Sequence, residues 1–421
     1  MDIIFTNVRV FDGTGSDVYP GEVRVEGNRF TAVAQGAGHL GGQGVPEVDG
    51  RGMTLMPGLV EGHAHLSFTG TSTLAALGEV PPEEHTLQTA YNAKLLLDCG
   101  FTSAYSAASS KLRLEVAVRN EIDAGRLSGP RLRAASPEIT VTGGLGDERL
   151  LHLHRDSFSI VADGVDEIRK AVRLACREGC DNIKVNISGD EFNPAAGGDL
   201  TVMSTEELQV AVDTAHSFGR RVSAHTRASE SVKRALRAGV DVLYHCEWVD
   251  DEAIDMLEEA KDRVFVGPAI GLIWNTIHEA GFPDEVVNGL RYPETLENAQ
   301  KVYHVLRERG VRIVPGGDYG FAWTPIGTNA RDIEHFVNLF GYSPVEALQA
   351  ATKVGGELMG LDLGQVREGF LADLILVDGN PVEDVTLLQS RDKIKLVMKD
   401  GAVHRADSTM FASLPTTSVG F

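Results

Sequence analysis

The sequence predicts an α/β fold, a (β/α)8 TIM barrel joined to a small β-sandwich domain formed from both chain ends. Two patterns support this prediction. Short apolar segments alternate with amphipathic helices about eight times between residues 56 and 360, which is typical of a parallel barrel. Short strand-and-turn segments occupy residues 1–55 and 361–421 on either side. An open, doubly wound sheet is the competing interpretation of the central alternation.

The terminal segments carry strand and turn signals. Asp12-Gly13 and Asp400-Gly401 are dipeptides that favour tight turns. Alternating or continuous apolar residues beside them predict strands at Asp2–Val10, Gly21–Val33, Gly369–Val377 and Ile394–Met398, the last pairing with the segment around Val403. We expect residues 1–55 and 361–421 to supply the two parts of one β-sandwich domain.

Strand and helix candidates alternate through the central residues. The predicted strands are Thr54–Val60, Thr102–Ala107, Arg131–Ala135, Asn182–Ile187, Arg221–His225, Val242–Cys246, Val264–Val266 and Ile313–Pro315. The predicted helices include Leu87–Asp98, Asp166–Glu178, Thr205–Phe218, Ser231–Ala238 and Glu294–Arg309. Capping boxes predict two further helix starts, at Ser204 with Glu207 and at Ser343 with Glu346.

The composition is that of an ordinary soluble globular protein, with 43% hydrophobic and 24% charged residues among 421. The formal net charge is −21 and there is no sustained basic run, so we expect neither a nucleic-acid partner nor an anionic membrane. The four cysteines form no disulfide framework, and no signal peptide or apolar run of roughly 18 residues is present. We therefore expect a cytoplasmic protein.

Side chains that bind metals well follow the predicted strands at the points where those strands end. His63 and His65 stand two positions apart, so they face the same side of a strand. His225 ends Val-Ser-Ala-His, His245 ends Val-Leu-Tyr-His, and Asp318 follows Ile-Val-Pro-Gly-Gly. Because barrel active sites lie at the carboxyl ends of the strands, we expect these five side chains to converge.

Lys184 lies inside the strand Asn-Ile-Lys-Val-Asn-Ile, between apolar neighbours. A bare ammonium group is costly to desolvate in a barrel wall, so the lysine is paired, has a lowered pKa or is modified. Taken singly, each histidine is also explained as a hydrogen-bonded core residue, and Asp318 as a turn former. Taken together, the six positions favour a shared site.

With this set of residues the chain resembles the amidohydrolase superfamily. Pro57-Gly58-Leu59 and Gly369-Phe370-Leu371-Ala372-Asp373-Leu374 extend the resemblance over nearly the whole chain. Imidazolonepropionase-like and prolidase-like members look most similar, together with ochratoxin-cleaving amidases and hydrolases of phenylurea and thiocarbamate herbicides. The resemblance implies that His63, His65 and Asp318 bind one divalent metal and that His225 and His245 bind a second. It also implies that Lys184, carboxylated by carbon dioxide, bridges both ions.

The resemblance further implies a hydrolase in which a metal-bridging hydroxide attacks a C–N bond. Zinc is the expected metal, with manganese or cobalt as alternatives. Asp318 and His245 are the expected catalytic residues, Asp318 as the acceptor and later donor of a proton and a nearby imidazole or phenol as a partner of the oxyanion. Relatives often form symmetric assemblies, so a homo-oligomer is also expected.

Two positions depart from the prolidase-like pattern. Those members carry a histidine in a Thr-Gly-Gly-His-Gly loop and a tyrosine just past the strand-five histidine, whereas this chain has Leu145 and Arg227 there. Leu145 cannot hydrogen-bond a carboxylate, and Arg227 either grips one bidentately or pairs with a protein acid. Tyr105, Trp248 and Trp323 are candidates for an apolar pocket wall, or else loop anchors.

The substrate we expect is therefore a small, hydrophobic or aromatic amide, urea or carbamate. A dipeptidase of the Xaa-Pro or N-acyl amino acid type is the alternative. Deamination is less favoured, because no glutamate follows His225 at the spacing that deaminases of this superfamily use. Hydrolysis of an ester or lactone stays open, and a scaffold without catalysis is disfavoured because all six ligands are retained.

Overall fold

The computed structural model describes residues 2–41, 44–411 and 414–417. Its strands are β1 Asp2–Val10, β2 Tyr19–Glu26, β3 Arg29–Gln35, β4 Glu47–Asp49, β5 Thr54–Pro57, β6 Leu59–Ala64, β7 Phe101–Ser106, β8 Arg131–Arg133, β9 Ala135–Thr140, β10 Ile160–Val161, β11 Asn182–Asn186, β12 Arg221–Ala228, β13 Val242–Trp248, β14 Phe265–Gly267, β15 Leu374–Val377, β16 Ile394–Lys399 and β17 Ala402–Ala406.

The α-helices surround these strands. They are α1 Leu74–Glu79, α2 Pro82–Asp98, α3 Leu114–Asp123, α4 Gly164–Arg177, α5 Thr205–Ser217, α6 Ser229–Ala238, α7 Asp251–Glu259, α8 Ile270–His278, α9 Asp284–Gly289, α10 Tyr292–Glu308, α11 Arg331–Phe340, α12 Pro344–Gln349 and α13 Gly355–Met359. A π-helical turn, Ala350–Val354, joins α12 to α13, and a 3-10 helix occupies Val385–Gln389.

Both chain ends contribute to one sheet. Its strand order is β17-β16-β15-β5-β1-β2-β3, with β4 paired to β1. Strand β5 joins the two ends, because it runs parallel to β1 and antiparallel to β15. Phe5, Leu55, Leu376 and Leu396 are among the buried side chains that form a hydrophobic core belonging to this sheet. Strands from both chain ends therefore share one sheet.

The central strands form two parallel sheets, β6-β7-β8 and β10-β9-β11-β12-β13-β14. Only Ala134 separates β8 from β9 along the chain. At the other end, β14 forms a parallel bridge from Val266 to Ile313, and Gly62 N in β6 donates to Pro315 O at 2.9 Å. Strands β6, β7, β9 and β11 are buried along their whole length, as is usual for parallel strands covered on both faces.

The segment predicted as one strand over Thr54–Val60 is two strands separated at Gly58. A Cβ atom on Gly58 would lie 2.1 Å from Thr102 Oγ1, so the chain passes too close to β7 for a larger residue. Strand β5 therefore belongs to the terminal sheet and β6 to the central strands. Likewise, the predicted strand Gly21–Val33 is the hairpin of β2 and β3, which turns at Gly27 with φ +62°.

The predicted helices are present, with ends that shift by a few residues. Both capping boxes are formed, since Ser204 and Ser343 each accept a hydrogen bond from a backbone N–H three residues on. Ile313–Pro315 is not a strand, and only the single bridge at Ile313 marks its strand-like path. In the part of the chain described by the structure, no helix has the length and apolar character needed to cross a bilayer.

Candidate metal centre

The structure brings all six sequence-predicted ligands to one cavity. His63 lies in β6 and His65 directly after it, Lys184 lies in β11, and Asp318 lies in the loop that follows Ile313. The other two, His225 in β12 and His245 in β13, line the same cavity. Every one of these residues is buried.

Three of them form a compact group of potential ligand atoms. One ligand atom each from His63, His245 and Asp318 lies within 4.8 Å of the others. Asp318 Oδ1 also lies 3.0 Å from His65 Nε2 and 3.8 Å from His63 Nε2. Three converging side chains at these separations match the ligand number of a catalytic zinc site.

His225 is adjacent to this group. Its ring centroid lies 4.2 Å from that of His245, whereas its Nε2 lies 3.0 Å from the carbonyl oxygen of Gly189. His65 is oriented by a similar contact between its Nδ1 and Ala108 O at 3.1 Å. Backbone contacts of this kind fix a histidine ring and its tautomer.

Lys184 lies in the wall of the cavity with its Nζ 4.8 Å from the centroid of the Tyr244 ring. Burial lowers the pKa of Lys184, although the neighbouring Glu138 and Asp318 oppose that shift. Of the three explanations that the sequence leaves open, the structure therefore favours a lowered pKa. An unprotonated amine is the form that reacts as a nucleophile.

The electrostatics of the cavity suit a cation. Burial opposes ionisation of Asp318, but His63, His65 and Lys184 together hold the pKa of this carboxyl well below its usual range. Burial lowers the pKa of His225 to about 3, although Asp190 opposes the shift, and burial also lowers the pKa of His63 and His245. The cavity thus presents an ionised carboxylate beside neutral imidazoles, which are the protonation states that metal ligands require.

The backbone is unusual at two of these residues. His245 has φ +79° and Asp318 has φ +60°, both in the left-handed region that non-glycine residues rarely adopt. Such strain concentrates at functional sites and persists where the surroundings hold it in place. At Asp318 the following residue helps to hold the backbone in place, because the Tyr319 hydroxyl donates a hydrogen bond to Asp332 Oδ1 at 2.9 Å.

Two buried acids hold the backbone behind the ligands. Glu61 Oε1 accepts a hydrogen bond from His63 N at 3.2 Å, and its Oε2 accepts from Asn329 at 2.8 Å. Asp332 Oδ2 accepts from Gly316 N at 3.2 Å. Burial, with Asp332 adding to it, raises the pKa of Glu61 to about 8, and burial raises the pKa of Asp332 to about 7. These acids were missed in the sequence, where their only signal is an acidic residue close to a ligand.

Arg227 pairs with protein acids, so the structure decides between its two sequence-based interpretations. It is 1% exposed. Its Nε donates to Asp190 Oδ2 and its Nη1 to Glu247 Oε1, each at 2.7 Å. Asp190 lines the cavity, whereas Arg227 does not. Nη2 of Arg227 has no hydrogen-bond partner among the described residues, but Nε and Nη1 are already engaged and unavailable to a substrate carboxylate.

The four remaining candidates for substrate contact separate into two pairs. Leu145 lines the cavity, and Trp323 lies at its mouth, stacked on Phe321 with ring centroids 5.3 Å apart. Trp248 does not line the cavity, because its ring packs beneath the Arg291 guanidinium at 4.1 Å. Tyr105 does not line it either, and the expectation for these two side chains is corrected accordingly.

Tyr105 is held elsewhere by its packing. Its ring belongs to a core cluster with Val60 and Tyr244, and its hydroxyl donates to Asn182 Oδ1 at 3.1 Å. It borders a separate cleft beside Arg133 and Arg221. The aromatic wall of the cavity is formed instead by Phe68, Phe192 and Phe321. Phe68 also stacks on His65, with ring centroids 4.1 Å apart.

Glu138 is a further cavity residue that was missed in the sequence. It lies in β9, directly opposite Lys184 in the parallel pairing with β11. Its Oε2 accepts a hydrogen bond from Asn186 at 2.7 Å. Burial raises the pKa of Glu138, although Lys184 and Asn186 oppose the shift. It lies beyond the predicted strand Arg131–Ala135, so the sequence alone did not indicate that its side chain faces the cavity.

The chain is similar in sequence to a known protein family and to characterised proteins. The family model described as "Amidohydrolase family" matches residues 54–403. Ochratoxinase from Aspergillus niger is 27% identical over 376 residues, covering 83% of this chain and 75% of that protein. Imidazolonepropionase from Rubrobacter xylanophilus is 23% identical over 422 residues, covering 91% of each chain.

Solved structures match the fold of this chain over nearly its whole length. A Xaa-Pro dipeptidase with methionine bound in its active site has a TM-score of 0.85 at 27% identity, covering 96% of this chain and 100% of that one. Phenylurea hydrolase B has a TM-score of 0.76 at 22% identity with full coverage of both chains, a likeness that shows the fold alone.

Proposed function

Because the chain belongs to the amidohydrolase family, whose members hydrolyse C–N bonds, we propose that it is a binuclear metal-dependent hydrolase. Its substrate is a small hydrophobic or aromatic amide, urea or carbamate. The observation that carries the proposal is the convergence of His63, His245 and Asp318 within 4.8 Å at the base of a cavity lined by aromatic side chains.

The residues present fit a divalent metal. His63 Nδ1 and His245 Nδ1 are buried and lack a hydrogen-bond partner among the described residues, which is costly for polar atoms unless another group engages the ring. Imidazole nitrogen and carboxylate oxygen suit zinc, with manganese or cobalt as alternatives. In the proposal His63, His65 and Asp318 would hold one ion, His225 and His245 would hold the second, and Lys184, carboxylated by carbon dioxide, would supply a further anionic ligand.

When bound, the metal ions would polarise the scissile carbonyl group and lower the pKa of a water molecule towards about 7. Asp318 accepts a proton at its carboxylate and delivers it to the leaving nitrogen. His245 in β13 is the imidazole proposed to assist at the reacting carbonyl oxygen, and the walls of the cavity limit the access of bulk water.

The cavity wall supports an uncharged leaving group. Phe68, Phe192 and Phe321 supply aromatic surface, and Trp323 extends it at the mouth. Leu145 offers no hydrogen bond, and Arg227 is engaged by Asp190 and Glu247. A carboxylate on the leaving group would therefore lack a partner at the two positions where prolidase-like enzymes provide one.

A peptidase is the second candidate. The dipeptidase structure is 27% identical to this chain and matches it with a TM-score of 0.85. The two candidates differ in whether the leaving amine carries a carboxylate, so hydrolysis of a Xaa-Pro dipeptide compared with the matching prolinamide separates them.

The proposal also covers the domain architecture, the cellular compartment and the oligomeric state of the protein. The bridge between Val266 and Ile313 and the hydrogen bond from Gly62 to Pro315 support closure of the central strands, residues 56–360, into a (β/α)8 barrel. Residues 1–55 and 361–421 would then form the β-sandwich. The four buried, unpaired cysteines are compatible with a reducing cytoplasm, and a homo-oligomer stays a prediction.

Substitution of Asp318→Asn tests the function. The change removes the proton acceptor and one anionic ligand, so we expect kcat to fall by roughly 10²–10⁴-fold or more. The measurement is hydrolysis of anilides, arylureas and carbamates by zinc-loaded protein, with metal content determined by elemental analysis. We expect about two ions per wild-type chain, as in other two-metal hydrolases.

Asp166→Asn is the matched control. Asp166 lies at the start of α4 with its side chain exposed, so the same chemical change there leaves turnover and metal content unaltered. Near-full activity of Asp318→Asn, or a wild-type protein that binds no divalent metal, would contradict the proposed function.

A further inference from the structure

Glu138 is a buried acid with one oxygen left free in the cavity. The residue is 7% exposed and lines the cavity. Asn186 donates to Oε2, and no hydrogen bond among the described residues ends on Oε1. An oxygen that no protein group engages, on a carboxylate that lines a cavity, is available to a donor or cation on a ligand.

Asn186 fixes the direction of this carboxylate. Its amide nitrogen donates both to Glu138 Oε2 at 2.7 Å and to the carbonyl oxygen of Leu145 at 3.0 Å. Gly146 closes the other side, since a Cβ atom there would lie 2.9 Å from Oε2. The carboxylate is therefore held in one orientation, with Oε2 occupied by the protein and Oε1 left for a ligand.

Lys184 does not form an ion pair with the Glu138 carboxylate in the described part of the chain. The two residues are opposite each other on neighbouring strands, yet no ion pair within 4.0 Å joins them in the described part of the chain. Carboxylation of Lys184, as the proposed function requires, would replace its positive charge by a negative one. Glu138 would then face a like charge and lack the cation that now attracts it.

Glu138 lines the same cavity as the six proposed metal ligands and is not one of them, so its carboxylate is available to a substrate. The other acids nearby do not compete for this role, because Asp190 is taken by Arg227 and Glu148 lies further out at the mouth.

We propose that Glu138 binds a protonated amine on the acyl side of the substrate, next to the scissile carbonyl group. Resting on the proposed function, this narrows the substrate class to aminoacyl amides with an uncharged, hydrophobic leaving group. The acidic carboxylate selects the amine, and the hydrogen bonds that already engage Nε and Nη1 of Arg227 disfavour a carboxylate on the leaving group. Phe192, Phe321 and Trp323 receive the apolar leaving group.

The first test measures binding without turnover. Zinc-loaded wild-type protein is titrated calorimetrically with 2-phenylethylamine and with 2-phenylethanol, which differ in the amine alone. We expect the amine to bind at least roughly tenfold more tightly, as for a charge-assisted hydrogen bond, and Glu138→Gln to abolish that preference. Because an amine can also contact the metal directly, a preference that survives in Glu138→Gln would overturn the assignment to Glu138.

The second test measures specificity. Phenylalanine 4-nitroanilide and 3-phenylpropionyl 4-nitroanilide share a leaving group and differ in the α-amine. We expect Glu138→Gln to lower kcat/KM for the first by roughly tenfold or more and to leave the second nearly unchanged, with the zinc content retained. An equal loss for both substrates, or a loss of zinc, would show that Glu138 serves the metal centre instead.

Glu138→Ala provides a second variant if Glu138→Gln folds poorly. Different results would contradict the proposed function and the proposed role of Glu138. Absence of bound metal, or of any C–N hydrolysis by the wild type, contradicts the proposed function. Normal metal content with no preference of the wild type for the amine contradicts the role of Glu138 alone.

Discussion

Arg227 is completely enclosed, and its guanidinium donates hydrogen bonds to two carboxylates, Asp190 in the wall of the cavity and Glu247. One of them, Asp190, also lies 3.7 Å from His225 Nε2, so the arginine affects how a candidate ligand is held. Burial raises the pKa of Glu247 to about 7, although Arg227 opposes the shift. Removing Arg227 would leave this pair of acids close together and without a counter-charge.

We therefore expect Arg227→Ala to lower the free energy of unfolding by roughly 3–5 kcal/mol, because it leaves buried charges unpaired. The midpoint of urea unfolding, followed by circular dichroism, measures the effect. Arg126→Ala is the control, since Arg126 forms an exposed pair with Glu121 and such pairs contribute little. Equal midpoints for the two variants would show that the Arg227 pairs do not stabilise the fold.

His335 makes stability depend on pH. It is buried on α11 beside the Trp274 ring, with Arg331 and His278 nearby. Burial, followed by the Arg331 charge, lowers the pKa of His335 from 6.5 to about 3. Below pH 6.5 the unfolded chain binds a proton that the folded chain excludes until about pH 3, so stability falls with pH through that window.

We expect this single group to cost roughly 2 kcal/mol at pH 5. His335→Gln removes the titration, so the difference between urea midpoints at pH 7.5 and pH 5.0 becomes smaller than in the wild type. His152→Gln, at an exposed histidine, leaves that difference unchanged. An unaltered pH dependence in His335→Gln would mean that His335 is not protonated more readily in the unfolded chain.

At the scale of elements, the site depends on how closely the segment before Asp318 approaches β6. Gly62 N donates to Pro315 O, and a Cβ atom on Gly316 would lie 2.3 Å from the backbone nitrogen of His63. Gly316 is also the residue whose N–H donates to Asp332. Backbone contact of this kind places Asp318 beside the two histidines of β6.

Gly316→Ala should therefore push β6 and this segment apart, at a cost of roughly 1–3 kcal/mol for overpacking. We expect a lower unfolding midpoint together with weaker zinc binding, measured by competition with a chelator. Gly289→Ala is the control, because a Cβ atom at the end of α9 meets nothing within 4 Å. Zinc affinity equal to that of the control would show that the close approach does not position the ligands.

Most elements were predictable because their signals are local. Capping boxes at Ser204 and Ser343 depend on residues three apart, and the apolar runs of buried strands are visible directly. Ile313–Pro315 was wrongly predicted as a strand for a physical reason. Pro315 has no N–H to donate to a ladder, so the segment follows the sheet with one bridge instead of regular pairing.

At the scale of the whole molecule, the six ligands could be located from the sequence because parallel strands bring their carboxyl ends to one edge. Side-chain contacts between residues far apart in the sequence could not be predicted in this way. The pairing of Arg227 with Asp190 and Glu247, the position of Glu138 opposite Lys184, and the packing of Tyr105 against Val60 all depend on strand register and on which way each side chain faces. A one-residue change in register reverses that direction, and the sequence alone leaves it open.

The shared terminal sheet has a consequence for synthesis of the chain. Strand β5 ends at Pro57, but its antiparallel partner β15 begins at Leu374, so the ribosome must translate the whole central region before the two strands can pair. Until then one edge of β5 and the apolar face of its sheet stay open while the central domain emerges. Contacts between such distant residues form slowly, and the nascent chain is therefore most vulnerable to aggregation at its oldest end.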